Sequence, residues 1–349
     1  MLATILKMLA SVIDKRGFTI KHPLNSTLVI VFLASVAGCV GWDAIADWSS
    51  SHYHLLCKHL EMWKSSPSAD TFRRVAEASE LMDFFNLFST DDSDDIHIDG
   101  KRARGANRNG AVHHFIEAFN GGKIIGMIEM GAGAEGPTIE KLIRTLKLEG
   151  KLVTIDAAAT TPAVVAAIID QKGDYLLPVE GNQPSLLAEI GHAFDMSISS
   201  IHKTKDHKHG RYETRSTRTI NDKNVISMVS SSSNISGIRC LCRIERTRIG
   251  KDGIETTVQY HICSRTLTPR EYSRRIRSHW KIEAMHHVLD VSLGEDNSRI
   301  CNAAGVMGSF CRFAYGLIAE IKGDMSFRRF ANQVRANPSS LLVQIVKIA

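Results

Sequence analysis

The chain lacks the features of a secreted, membrane-spanning or nucleotide-hydrolysing protein. Its seven cysteines (Cys39, Cys57, Cys240, Cys242, Cys263, Cys301, Cys311) are odd in number and scattered, and none forms a Cys-x-x-Cys pair. No disulfide framework is implied, which fits a reducing cytoplasm. Long hydrophobic runs are also missing. No charge interrupts Pro23 to Trp42, but its strongly apolar part, Thr27 to Val40, is shorter than the roughly 20 residues a spanning helix needs. Asp43 and Asp47 follow directly, so this segment reads as a buried core helix and no membrane association is expected. It lies too far into the chain, and lacks the small-residue cleavage pattern, for a signal peptide. The glycine-rich run Gly131 to Gly136 has no Lys-Ser/Thr, so it is not a Walker A loop and reads as a turn before a helix. No internal repeat is visible.

What remains is a chain of ordinary globular composition, 349 residues with 44% hydrophobic and 23% charged, long enough for a real core. Net charge is only +6, but the cations are bunched. One cluster holds Lys203, Lys205, Lys208, Arg211, Arg215 and Arg218. A second holds Arg270, Arg274, Arg275, Arg277 and Lys281. A polyanion feels the near surface within a Debye length of about 8–10 Å, so clusters matter more than the total.

The chain divides by pattern. Residues 1–88 read as a helical N-terminal domain, and Ser89 to Asp95 (Ser-Thr-Asp-Asp-Ser-Asp-Asp) as an acidic linker. Beyond it come a short strand at Ile96–Ile98 and a hairpin of Val112–Phe119 and Lys123–Met130 around Asn120-Gly121-Gly122. A helix follows over Pro137–Leu148, a strand at Leu152–Ile155, a helix over Pro162–Gln171 and a strand at Tyr175–Val179. This order predicts an α/β fold with a ribonuclease H-like mixed-sheet core over 96–200 and 265–335. A β-rich insertion over 201–264 interrupts that core, and 336–349 forms a C-terminal tail.

Two strands end on aspartate: Asp99 after Ile96-His97-Ile98, and Asp156 after Leu152-Val153-Thr154-Ile155. Acidic residues are depleted in strands and costly to bury unpaired, so this placement is unusual. A helical pattern carries Glu283 with His279, His287 and Asp290 on one polar stripe. Two strand-borne carboxylates and one helix-borne carboxylate can seat divalent ions that act on phosphodiesters. Glu283-x-x-His286 and Glu189-x-x-His192 also match di-iron bundle spacing, but a strand-rich middle does not suit a four-helix bundle.

The ordered motifs resemble the H-repeat-associated insertion-sequence transposases, a branch of the DDE transposases, over nearly the whole chain. They include Ile98-Asp99-Gly100-Lys101 with Arg104-Gly105, Val153-Thr154-Ile155-Asp156-Ala157 and Gly181-Asn182-Gln183. His209-Gly210-Arg211-Tyr212-Glu213-Thr214-Arg215 and Arg277-Ser278-His279-Trp280-Lys281-Ile282-Glu283 complete the series. The resemblance implies that Asp99, Asp156 and Glu283 form a catalytic triad holding two Mg²⁺ ions, with Mn²⁺ as a substitute. The activity it implies is hydrolysis and strand transfer at element ends. It implies double-stranded DNA (element ends and target) as partner, a homodimer on DNA, and a cytoplasmic protein that joins the nucleoid when bound. Lys101, Arg104, Arg211, Arg215, Arg277 and His279 are the candidates for gripping phosphates.

The chain departs from that family at several places. Glu180 stands where Lys precedes Gly-Asn-Gln, Ala284 where Asn follows the glutamate, and Ala132–Gly136 keeps only Glu135 of its counterpart motif. Related helices carry Tyr, Arg, Glu and Lys where this chain has Ile276, His279, Glu283 and Asp290. The alternative these departures raise is a catalytically weakened, transposase-derived DNA-binding protein.

Overall fold

A computed structural model describes residues 2–17, 20–79, 81, 85, 93–108, 111–131, 133–208, 211–231, 233–250 and 253–348. The N-terminal helices are α1 (Leu2–Ser11), α2 (Leu24–Val36), α3 (Trp42–Ser51), α4 (Tyr53–Leu56) and α5 (Ala69–Glu77). Next come β1 (Asp95–Arg108), β2 (Ala111–Asn120), β3 (Lys123–Glu129), α6 (Glu135–Thr145), β4 (Leu152–Ile155), α7 (Pro162–Asp170) and β5 (Asp174–Val179). The chain continues through α8 (Pro184–Met196), β6 (Ser200–Lys208), β7 (Arg211–Ile220), α9 (Lys223–Ser231), β8 (Cys240–Gly250) and β9 (Gly253–Cys263). It closes with α10 (Pro269–Val291), α11 (Ala304–Ile321), α12 (Phe327–Ala336) and α13 (Ser339–Ile348). Two compact units result, one of residues 1–90, 100–133 and 283–349, the other of 91–99 and 134–282.

In the first unit α2 is apolar around its whole circumference, with every residue from Ser26 to Val36 buried. A helix of that kind belongs in a core, and α2 packs on α11, itself buried from Met307 to Ile318. Each fully buried Leu, Ile, Val or Phe contributes about 1.5–3 kcal/mol, so this pair anchors the unit. Among the described residues no helix is long and apolar enough to cross a membrane. The neighbouring strands here are β3, β2 and the later part of β1. At Gly105, an added Cβ would lie 2.3 Å from the Asp296 carbonyl oxygen and 2.4 Å from that of Ser298. Backbone cannot yield there as a flexible side chain could. Gly105→Ala is expected to cost roughly 3 kcal/mol or more, read as a lower urea midpoint at unchanged slope.

In the second unit β1 pairs parallel with β4 and β4 parallel with β5, while β9 adds antiparallel to β5. β8, β7 and β6 follow in turn, with β6 at the edge. The 3-2-1 neighbours of one unit and the 1-4-5 neighbours of the other give the ribonuclease H-like connectivity. Thr161 caps α7 by accepting the Val164 N–H, and Pro162 opens that helix where no donor is needed.

The structure differs from the sequence expectations at particular points. Residues 201–264 continue the sheet through the β5–β9 pairing. β6 was not foreseen, because Ser-Ile-His-Lys-Thr-Lys-Asp-His-Lys has no apolar alternation. Its lysines are what an edge strand uses to discourage further pairing. Helix α6 begins at Glu135, two residues before Pro137, and the expected tail contains α13. Most of the acidic linker lies outside the described residues, and its last member, Asp95, is the first residue of β1.

Candidate active site

The site is built from the register of β1 and β4. Their parallel pairing sets Asp95 beside Leu152, His97 beside Thr154 and Ile98 beside Ile155. Asp99 and Asp156 are the residues that follow the last paired positions; β1 runs on past Asp99 to Arg108, longer than the Ile96–Ile98 strand expected, whereas Asp156 directly follows the end of β4. Alternation puts His97 and Asp99 on one face of β1, with Thr154 and Asp156 on the matching face of β4.

Asp156 is exposed, and its carboxylate accepts the Ala157 N–H at 2.7 Å, capping a short 3₁₀ turn over Ala157–Ala159. Asn182 donates to the Ala157 carbonyl at 3.0 Å, and Gln183 donates to the Thr160 carbonyl at 2.9 Å. The Gly181-Asn182-Gln183 motif therefore fixes the loop that carries Asp156 away from the sheet.

Helix α10 crosses this face in rungs. Arg275 is ion-paired to Asp95, which also accepts the Ser278 hydroxyl at 3.1 Å. One turn later the Thr154 hydroxyl lies 2.7 Å from Nδ1 of both His97 and His279. Burial lowers the His97 pKa to about 3, with the charges of His279 and Lys281 adding to the effect. Burial likewise lowers His261, bonded to the Tyr272 hydroxyl, to about 3. Unfolded histidines take up protons near pH ~6.5, so the unfolded chain binds more protons below that pH. Stability from these imidazoles is complete above pH ~6.5 and is lost as pH falls towards 3. A His97→Asn variant should show a shallower decline between pH ~6.5 and 4 in thermal unfolding.

Glu283 is exposed on α10, one turn past His279. In the first unit Lys101 is 5% exposed, with its ammonium 2.5 Å from Asp290 and 3.6 Å from Glu295. Lys101 thus neutralises part-exposed Asp290 and buried Glu295 and does not stand open to a phosphate. Arg104 is exposed on β1. Arg215 pairs with Asp206 at 2.7 Å and with Glu213, while Arg277 is exposed and lies 3.9 Å from Asp206. The Arg211 side chain is outside the described residues.

Lys101 belongs to a buried charge network that sequence reading missed. Arg312, fully buried on α11, binds Glu117 at 2.5 Å and also Glu295, and His286 lies 3.3 Å from Glu117. Burial alone would push the Glu117 carboxyl up, but Arg312 and His286 outweigh it and hold the pKa at about 2.

Among the described residues no three His, Cys, Asp or Glu side chains form a metal-ligating set. Asp99 and Asp156 offer hard oxygen donors. Magnesium, which takes one or two carboxylates and completes its shell with water and substrate oxygens, suits that pair.

Residues 89–311 match the transposase DDE domain, and residues 6–90 match the DDE_Tnp_1-associated domain. "Putative transposase YncI" of Escherichia coli O157:H7 is 30% identical, over 89% of this chain and 86% of that protein. "H repeat-associated putative transposase YhhI" of E. coli K12 is 28% identical, over 88% of each. The solved piggyBac transposase synaptic complex with hairpin DNA aligns at a TM-score of 0.41 and 10% identity, over 98% of this chain and 80% of that one. That likeness is too loose to inform the site. The chain belongs to the transposase DDE family and is allied with its H repeat-associated members.

Proposed function

We propose that the chain is a DNA transposase that hydrolyses and joins phosphodiesters at the ends of its element, with Asp99, Asp156 and Glu283 as the acidic triad. The observation that carries this reading is the paired emergence of Asp99 and Asp156 from adjacent parallel strands. The rungs of α10 support the third member. Four helical residues rise about 6 Å and two strand residues about 6.6 Å. Helix and strands therefore stay in step from Arg275–Asp95 to His279–Thr154. Glu283 follows His279 by one helical turn on the same stripe.

In this reading Asp99, Asp156 and Glu283 hold Mg²⁺, which when bound supplies Lewis-acid activation of a water or 3′-hydroxyl and offsets charge at phosphorus. Asn182 and Gln183 keep the Asp156 loop in place, and the Thr154 bridge fixes His97 and His279 beneath it. Exposed Arg104 and Arg277 hold phosphates and position DNA without reading sequence. Arg215, already paired with Asp206 and Glu213, would have to exchange a carboxylate for a phosphate to serve the same end. The protein acts on double-stranded DNA as a homodimer.

A second reading, a DNA-binding protein with weakened catalysis, draws on Glu180 and on the absence of a three-residue ligand set among the described residues. Supercoiled plasmid carrying the element ends separates the two. Mg²⁺-dependent nicking supports the transposase, and retention on the element ends without nicking supports the binding protein. Affinity for duplex DNA should also fall with salt at a slope of about −0.9 per phosphate neutralised; a flat titration counts against both.

A further inference from the structure

Three stretches far apart in sequence, Gly100-Lys101 of β1, Leu289-Asp290 of α10 and the Glu295-Asp296 turn, meet in the first unit around one ammonium. Lys101 reaches Asp290 at 2.5 Å and Glu295 at 3.6 Å. Arg312 joins Glu295 to Glu117, and Glu117 meets His286 at 3.3 Å. The chain of charges leaves α10 at Asp290, runs through β1, the Glu295 turn, α11 and β2, and returns to α10 at His286, one turn earlier. Its seat is close-packed: the carbonyl oxygens of Asp296 and Ser298 lie on the β1 backbone at Gly105, where a Cβ has no room.

Stability alone does not call for this arrangement. Buried ion pairs hold a fold no better than apolar side chains of similar volume, and Oε2 of Glu295 is buried with no hydrogen bond among the described residues. What the charges add is register. Met285 and Leu289 bury the apolar stripe of α10 completely, but apolar attraction is non-directional and resists sliding weakly. A carboxylate moved off its buried cation is stranded, so the pairs admit one rotation and one height of the helix. Two anchors, Asp290 on β1 and His286 on β2, fix both.

We propose that Lys101, Asp290 and His286 are positioning residues for Glu283. The proposal rests on the reading of Asp99, Asp156 and Glu283 as the acidic triad. Lys101 follows Asp99 by two residues on the same face of β1, and Asp290 follows Glu283 by two helical turns, about 10.5 Å, on the same stripe. The Lys101–Asp290 contact therefore ties the strand that bears one acid to the helix that bears another. Glu283 itself is exposed, and the anchors behind it set its heading before an ion binds, as outer partners of metal ligands do.

The test titrates the full chain with Mn²⁺ and follows the free ion by electron paramagnetic resonance. Loss of an outer partner costs about 10- to 100-fold in metal affinity, so Asp290→Asn should weaken the Mn²⁺ site that Glu283→Gln weakens by about that factor. Added to Glu283→Gln, it should change affinity by less than about twofold, because it acts through that residue. Lys101→Met decides between positioning and a simple field effect. Removing a cation should tighten Mn²⁺ if only the field matters, whereas lost register weakens it. Nicking should fall in parallel, with duplex affinity and its salt slope unchanged. Ile30→Val, in the α2 core, should lower the urea midpoint and leave Mn²⁺ affinity alone. Asp290→Asn keeps its volume at a part-exposed position, so its coupling to Glu283 can be read even where Lys101→Met does not fold. Unchanged Mn²⁺ affinity in Asp290→Asn, the same loss in the Glu283→Gln background, or tighter Mn²⁺ in Lys101→Met overturns the proposal. If Glu283→Gln still loses Mn²⁺ in that event, only the positioning falls. A wild-type chain that binds no Mn²⁺ removes the triad as well.

Discussion

Asp156→Asn should abolish Mg²⁺-dependent nicking of element-end DNA, lowering the rate at least about a thousandfold, while leaving duplex affinity within about twofold. The basis is the charge at the end of β4. Asparagine keeps the shape and can still accept the Ala157 N–H through its carbonyl oxygen, so the 3₁₀ turn should survive. What disappears is an anionic oxygen donor, and stabilisation by a bound divalent ion is worth several kcal/mol of barrier. Asp99→Asn should behave alike. Glu283→Gln is the sharper version, because α10 gives it no capping duty; loss of nicking with unchanged DNA affinity would tie that helix to the chemistry. Wild-type rates in all three variants would sink the triad.

Arg312→Met should be the most destabilising single substitution among the buried ion pairs, costing roughly 3–5 kcal/mol. Removing the guanidinium leaves Glu117 and Glu295 buried without their shared counterion. Adding Glu117→Leu should recover part of the loss, since an apolar replacement of both partners removes the stranded charge as well as the attraction. Urea unfolding of the two singles and the double completes the cycle. The same carboxyl predicts an acid limb. Glu117 is held at about 2, below its unfolded value near 4.5. Its contribution is present above pH ~4.5 and is lost as pH falls towards 2. Glu117→Gln should flatten unfolding free energy across that interval.

The pairing of the two strands that carry Asp99 and Asp156 was legible because each acid follows an apolar, β-branched run, whereas the extension of β1 past Asp99 to Arg108 was not. The β2–β3 hairpin was legible for the same reason, its Asn-Gly-Gly turn lying between alternating strands. The burial of α2 followed from an apolar sequence too short for a bilayer. Lys101 was not legible. Its partners Asp290 and Glu295 are almost 200 residues away, and a lysine beside an aspartate-bearing strand end looks the same in sequence whether it faces solvent or a buried acid. His97 and Thr154 looked like ordinary strand residues until α10 delivered His279 onto them. β6 escaped because an edge strand can be polar along its whole length.

The seam between α10 and the two parallel strands works as a vernier. Its scales differ by about half an ångström per rung, so they coincide over a few steps and then drift apart. A one-residue insertion between His279 and Glu283 would swing the acid about 100° around the barrel of the helix. A four-residue insertion would restore its heading yet leave it a full pitch too far along. Natural variation in chain length should therefore be tolerated on either side of this short span and refused within it.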